Sequence, residues 1–189
     1  MYAAARHGFG NLVLMIPQRG KETPPDQYAA VWNEVHGPVS VPHAPMLSGN
    51  FYIHEDGDFA ERQGQMYLAN TMRAAVKYYS LSKPGTFAQV KGYEHYENMM
   101  LHSPEDVDAY CDTFGKGAIT GTPQQILDRL WELKGIYNPQ GFFPHVYFGG
   151  MPQDDCVRSM RLFASKVLPE LKSWQTDASI DDRFLEAAE

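Results

Sequence analysis

Residues 119–171, ITGTPQQILDRLWELKGIYNPQGFFPHVYFGGMPQDDCVRSMRLFASKVLPEL, constrain the fold more than any other stretch. Thr122-Pro123-Gln124-Gln125 opens a helix. Thr122 offers a capping hydroxyl, Pro123 suits the first helical position, and Gln125 stands where a capping box needs its reciprocal acceptor. Residues 142–148 are aromatic and β-branched and lie between Gly141 and the Gly149-Gly150 pair, which predicts a short buried strand. Residues 151–168 predict a second helix. The stretch therefore reads as helix, strand, helix, with the strand emptying into a Gly-Gly turn.

The earlier chain repeats this alternation. Residues 2–7 end a helix at Gly8. Residues 11–16, NLVLMI, are continuously apolar, the mark of a strand buried on both faces. Thr23-Pro24-Pro25-Asp26 opens a helix with Tyr28, Val31, Trp32 and Val35 on one stripe, stopped by Gly37-Pro38. Residues 46–54 form a second strand, weakened by Gly49. Residues 56–58 make a turn that can cap the long amphipathic helix predicted over 59–79. Residues 80–92 leave the regular pattern. Short helices are expected at 93–101 and 104–114, and 115–120 is a lead-in to the capped helix. Strands alternating with helices mean an α/β unit with a parallel sheet, here of about three strands with a helical insertion. The length of 189 residues suits one domain and is short of a closed (β/α)₈ barrel, which takes roughly 250 residues.

Composition excludes several classes of function. The net charge of -7, with no Lys/Arg cluster, argues against a nucleic-acid partner. No apolar run is long enough to span a membrane, and the N-terminus is a poor signal peptide, so a cytoplasmic protein is expected. Cys111 and Cys156 are isolated and read as reduced thiols. There is no GxGxxG, P-loop, GxSxG or HExxH, and the histidines lack metal-ligand spacing. The segment His54–Asp58 resembles part of a calcium loop but lacks its late bidentate Glu, so a strand end and helix cap is the better reading. His145 and Tyr147 are two apart on a strand and face the same way, as pocket lining or as core. Gly149-Gly150 before a helix suits either a close anion approach or a tight turn. Tyr93-Glu94-His95-Tyr96 is an aromatic cluster that reads as a lid or as the foot of an insertion.

Gly121-Thr122-Pro123, the turn FGGMPQ and the helix RSMRLFASKVLPEL together resemble the C-terminal end of the luciferase-like flavin-dependent monooxygenases. ARHGFGNLVLMIPQ resembles the entry to a barrel strand of that family, and Tyr93–Tyr96 a motif of its late insertion. The resemblance covers about residues 1–172 and divides the chain into a barrel portion, 1–174, and a polar acidic tail, 175–189. It implies an incomplete (β/α)₈ TIM barrel that starts past mid-barrel, with the early flavin and substrate residues upstream. It implies FMN, supplied reduced by a separate flavin reductase (or, in one branch, the deazaflavin F420), and oxidation of a small organic substrate by O2. No catalytic residue carries over. The strand-end positions Ile16, Gln18, His145, Tyr147 and Gly149 correspond to the flavin rim, and His54, Tyr93 and Tyr96 to the substrate side. An open-edged piece of this kind expects a partner, either an N-terminal half-barrel chain or a second copy of itself. The rival reading is a non-catalytic flavin-binding or protein-interaction module of the same descent.

Overall fold

A computed structural model describes residues 2–13, 19–21, 26–40, 42–83, 85–87, 90–93, 101 and 103–174. The expected positions Ile16, Gln18 and Tyr96, most of the expected helix at 93–101, and the tail 175–189 lie outside the described residues. In chain order the elements are α1 (Tyr2–Arg6), β1 (Leu12–Val13), α2 (Asp26–His36), β2 (Met46–Ile53), α3 (Gly57–Tyr78), α4 (Pro104–Gly115), β3 (Ile119–Gly121), α5 (Pro123–Tyr137), β4 (Gly141–His145), α6 (Gln153–Leu162), a π-helical turn (Phe163–Val167) and α7 (Leu168–Ser173).

All pairings are parallel, and β2 is the strand that each of the others joins. Met46 faces both Leu12 of β1 and Gly141 of β4, so those two strands lie on opposite edges of β2. Backbone N–H direction alternates along a strand. Met46 donates to Asn11 O and His54 to Gly121 O. Both are even positions, so β3 follows β1 along one edge while β4 lines the other.

The steps from β2 to β3 and from β3 to β4 therefore cross the sheet in opposite directions. Right-handed crossovers then put their helices on opposite faces, and the packing agrees. Phe51 and Ile53 point into a core with Ile126, Leu130 and Leu133 of α5 and with Val167. Tyr52, on the other face, packs with Ala60, Tyr67 and Leu68 of α3. Gly64 lets α3 approach closely: a Cβ there would strike Thr120 of β3 and crowd Tyr52. A barrel segment would carry all its helices on one face. The parallel α/β architecture is as expected. The described sheet, however, is open and covered on both faces, and it has four strands rather than about three.

Several local expectations are met, and others are corrected. Thr122 and Gln125 form a complete capping box with Pro123 in the first turn of α5, and Asp56 caps α3. The unexpected strand is β3, three residues long. The expected buried strand at 142–148 is shorter, and it is not buried: Phe143 is 57% and Tyr147 64% exposed. Leu12, in the run expected to be buried on both faces, is also exposed. The single helix expected at 151–168 is broken by the π-helical turn. Pro169 has no N–H for the Ser165 carbonyl and crowds it, so the turn before it widens.

Candidate functional site

In an open parallel sheet, ligands bind outside the carboxyl ends of the strands, where successive connections leave on opposite faces. Here that rim comprises His54 after β2, Thr122 after β3 and Val146 after β4. His54 is held firmly. Its Nδ1 accepts the Asp56 N–H at 3.0 Å, its ring packs on Phe59 at 4.6 Å between centroids, and its Nε2 lies 3.9 Å from the Glu55 carboxylate. The accepting Nδ1 leaves the neutral ring's proton on Nε2, facing Glu55.

His145 does not meet His54. It pairs in register with Asn50, four residues short of His54, a separation of about 13 Å along the strand. Its Nε2 is 2.7 Å from the Oγ of buried Ser48, and its ring stands edge-on to Phe143 at 5.3 Å. Tyr147 lies beyond the end of β4 and is exposed. Tyr93 stacks on Phe87, 6.1 Å between centroids, in the segment after α3. The rim therefore gathers His54 alone of these residues with Glu55, and holds His145 apart.

Gly149 is placed against protein. With φ +61°, a Cβ on it would collide with the Tyr67 carbonyl, so its backbone lies directly on α3. Beyond Gly150 the N-terminus of α6 carries Asp154 and Asp155 in its first turn, and its cap is Pro152, with no side-chain hydrogen bond. Two carboxylates already answer the positive end of this helix. A flavin phosphate therefore does not fit the Gly149 turn.

Beside Glu55 lies a groove of about 490 Å³ lined by Glu55, Asp154, Arg158, Arg161, Leu162 and Ser165 among others. Arg158 and Arg161 are three apart on α6 and so share one face. Arg158 also reaches Asp155 at 3.6 Å. The groove balances two carboxylates against two guanidiniums, which suits a polar, near-neutral ligand more than an anion. The spacing of the RSMR motif was the sequence signal for this pair. Behind the groove, Tyr67 donates to Asp155 at 3.1 Å. Burial pushes the Tyr52 phenol up to about 12, helped by the Asp155 carboxylate and Tyr67 and opposed by Arg158. Burial also raises both thiols, Cys111 and Cys156, so neither is a ready thiolate nucleophile. Among the described residues no three His, Cys, Asp or Glu side chains gather as a metal site, and no helix is long and apolar enough to cross a membrane.

No protein-family model and no curated protein matches the chain. In fold it is similar to the monooxygenase RslO1 from Streptomyces bottropensis, at 21% identity and a TM-score of 0.50, over 89% of this chain and 44% of that one. It also aligns with the oxygenating constituent of 3,6-diketocamphane monooxygenase from the CAM plasmid of Pseudomonas putida, a type II Baeyer-Villiger enzyme in complex with FMN. There the identity is 12% and the TM-score 0.49, over 90% of this chain and 45% of that one. A third match is flavoprotein 390, at 11% identity and a TM-score of 0.42, over 92% of this chain and 64% of that one. The chain spans less than half the length of the first two. The likeness to RslO1 is one of fold, and it agrees with the resemblance to flavin-dependent monooxygenases carried by the sequence motifs.

Proposed function

We propose that the chain forms one side of a flavin-dependent monooxygenase site that oxidises a small organic substrate with O2. The observation that carries this reading is the shared fold with RslO1 over 89% of the chain. The motifs GTP and RSMRLFASKVLPEL support it independently. Fold alone does not assign chemistry, so the reading is limited to what the residues can do. His54 and Glu55 offer a polar rim at the end of β2, and the α6 arginines offer hydrogen-bond donors to a polar substrate. In this reading the residues that grip FMN lie on a complementing chain or a second copy, and a separate reductase supplies the reduced flavin. Location in the cytoplasm follows as part of the same proposal.

Flavin titration tests this. The purified chain is expected to carry no flavin absorbance and to bind FMN more weakly than micromolar. It should bind flavin tightly, and oxidise substrate, only when completed. Tight FMN binding by the chain alone would overturn the placement of the phosphate site. Tight binding of F420 but not FMN would move the chain to the deazaflavin branch. The rival reading, a non-catalytic flavin-binding or interaction module, is favoured by one observation, the exposed Phe143 side chain on β4. A completed assembly that binds flavin but never turns over would support it.

A further inference from the structure

A groove of about 310 Å³ opens between the last turn of α5, β4 and α7. Phe142 and Pro144 of β4, Phe163 of the π-helical turn, and Leu171 and Trp174 at the end of α7 give it an apolar lining. Its charged lining is Lys134 and Lys172, and among the described residues no carboxylate lines it. The Lys134 ammonium lies 4.9 Å from the centre of the Trp131 ring and 5.7 Å from that of Trp174. Neither lysine has an ion-pair partner among the described residues. The groove is therefore apolar with two uncompensated positive charges.

The chain carries a complementary segment directly after Trp174. Residues 175–189 read QTDASIDDRFLEAAE, with five acidic side chains against Arg183 alone. Ser179-Ile180-Asp181-Asp182 has the spacing of a capping box. Ser103 and Asp106 form the same device at the start of α4. In a helix starting there, Ile180, Phe184 and Ala188 are four apart and share one face, with Ala187 and Leu185 on either side. Asp182, Glu186 and Glu189 take the opposite face. A helix of about ten residues is too short to hold in water on its own, so the stripe needs a surface to cover.

Asp181 makes the match specific. It is four residues before Leu185 and so falls inside the apolar stripe. A carboxylate on a covered face costs heavily unless it meets a cation, and the groove holds two lysines without carboxylate partners. Reach agrees as well. Trp174 is itself part of the groove lining, and the linking residues 175–179 extend at most about 18 Å.

We propose that residues 180–188 dock in cis as an amphipathic helix in the groove beside Trp174, with Phe184 against its apolar lining and Asp181 facing its lysines. The proposal does not need flavin, so it and the functional reading fail separately. Hydrogen exchange read by mass spectrometry, on the full chain without flavin, tests it. The amides of 181–188 should exchange slower than in an unstructured peptide by about tenfold or more. Phe184→Ser on the helix and Leu171→Ser in the groove should each abolish that protection. Lys172→Glu changes an exposed position and keeps the test valid if Leu171→Ser does not fold. It should lower the protection severalfold, as should Asp181→Lys. Amides of 181–188 that exchange freely in the wild-type chain overturn the proposal. So does protection that Leu171→Ser and Lys172→Glu leave untouched, since the helix would then cover another surface. Protection that disappears on dilution, with light scattering at twice the 21.3 kDa chain mass before dilution, assigns the helix to the groove of a second copy and overturns docking in cis.

Discussion

At Gly149 a turn legible in the sequence conceals its reason. The pair Gly149-Gly150 announces positive φ, and both residues have it. What separates them is a neighbour more than eighty positions back: Tyr67 of α3 lies against Gly149, while nothing lies within 4 Å of a Cβ on Gly150. Sequence spacing carries no trace of that contact, so the turn read equally well as an anion cradle. The two alanine variants separate the explanations. Gly150→Ala meets only backbone strain and should cost about 1–2 kcal/mol. Gly149→Ala adds a collision with main chain, which cannot swing aside, and should cost about 3 kcal/mol or more. Urea denaturation of both variants measures the difference, and equal costs would remove the close approach as the reason for this glycine.

Elements were legible where local chemistry decides them and illegible where distant partners do. The caps of α3 and α5 are set by side chains within three residues of the helix start, and both were read correctly. β3 was missed because three residues after a glycine-rich turn have no period, and only its pairing with Phe51, Tyr52 and Ile53 makes it a strand. The aromatic run ending in Phe148 looked buried because burial depends on what covers β4, which no local pattern encodes. The junction of β2, α3 and α6 shows how such distant partners act. Tyr52 of β2, Tyr67 of α3 and Asp155 of α6 meet there, and burial raises both phenols. In the unfolded chain Tyr52 titrates near 10, whereas in the folded chain it titrates at about 12. The folded state therefore resists deprotonation. The stability tied to this group is whole below pH ~10 and is lost as pH rises toward ~12. Chemical denaturation across that range should show the decline, and Tyr52→Phe should make it shallower. An unchanged slope would place the loss elsewhere.

At the scale of the molecule, the alternation of strands and helices was enough to give a parallel α/β sheet, and the C-terminal motifs were enough to give the neighbouring fold. The faces on which the helices lie were not legible, because they follow from edge order, which the sequence does not print. That order makes β2 common to two cores: Leu47, Phe51 and Ile53 serve one, and Tyr52 the other. A third cluster stands apart from the sheet. Ala5 of α1 packs with Tyr28, Val31 and Trp32 of α2, tied by His36 to the Ala5 carbonyl at 2.7 Å, and among the described residues no strand residue belongs to it. Cooperative units follow such contact boundaries. Amide exchange should therefore separate the chain into two tiers. The amides of β2, α3 and α5 should exchange only on global unfolding, with the full denaturant slope. Those of α2 should open at lower free energy, with a small slope, because releasing two short helices exposes little surface. Leu130→Ala, which cuts into the core beneath β2, should lower protection in β2, α3 and α5 together by about 2–5 kcal/mol, leaving the smaller α2 opening nearly unchanged. If α2 fell in step with β2, the chain would be one cooperative unit. If α3 did not fall with α5, the two faces of β2 would be separate units, and His54 would be held by only one of them.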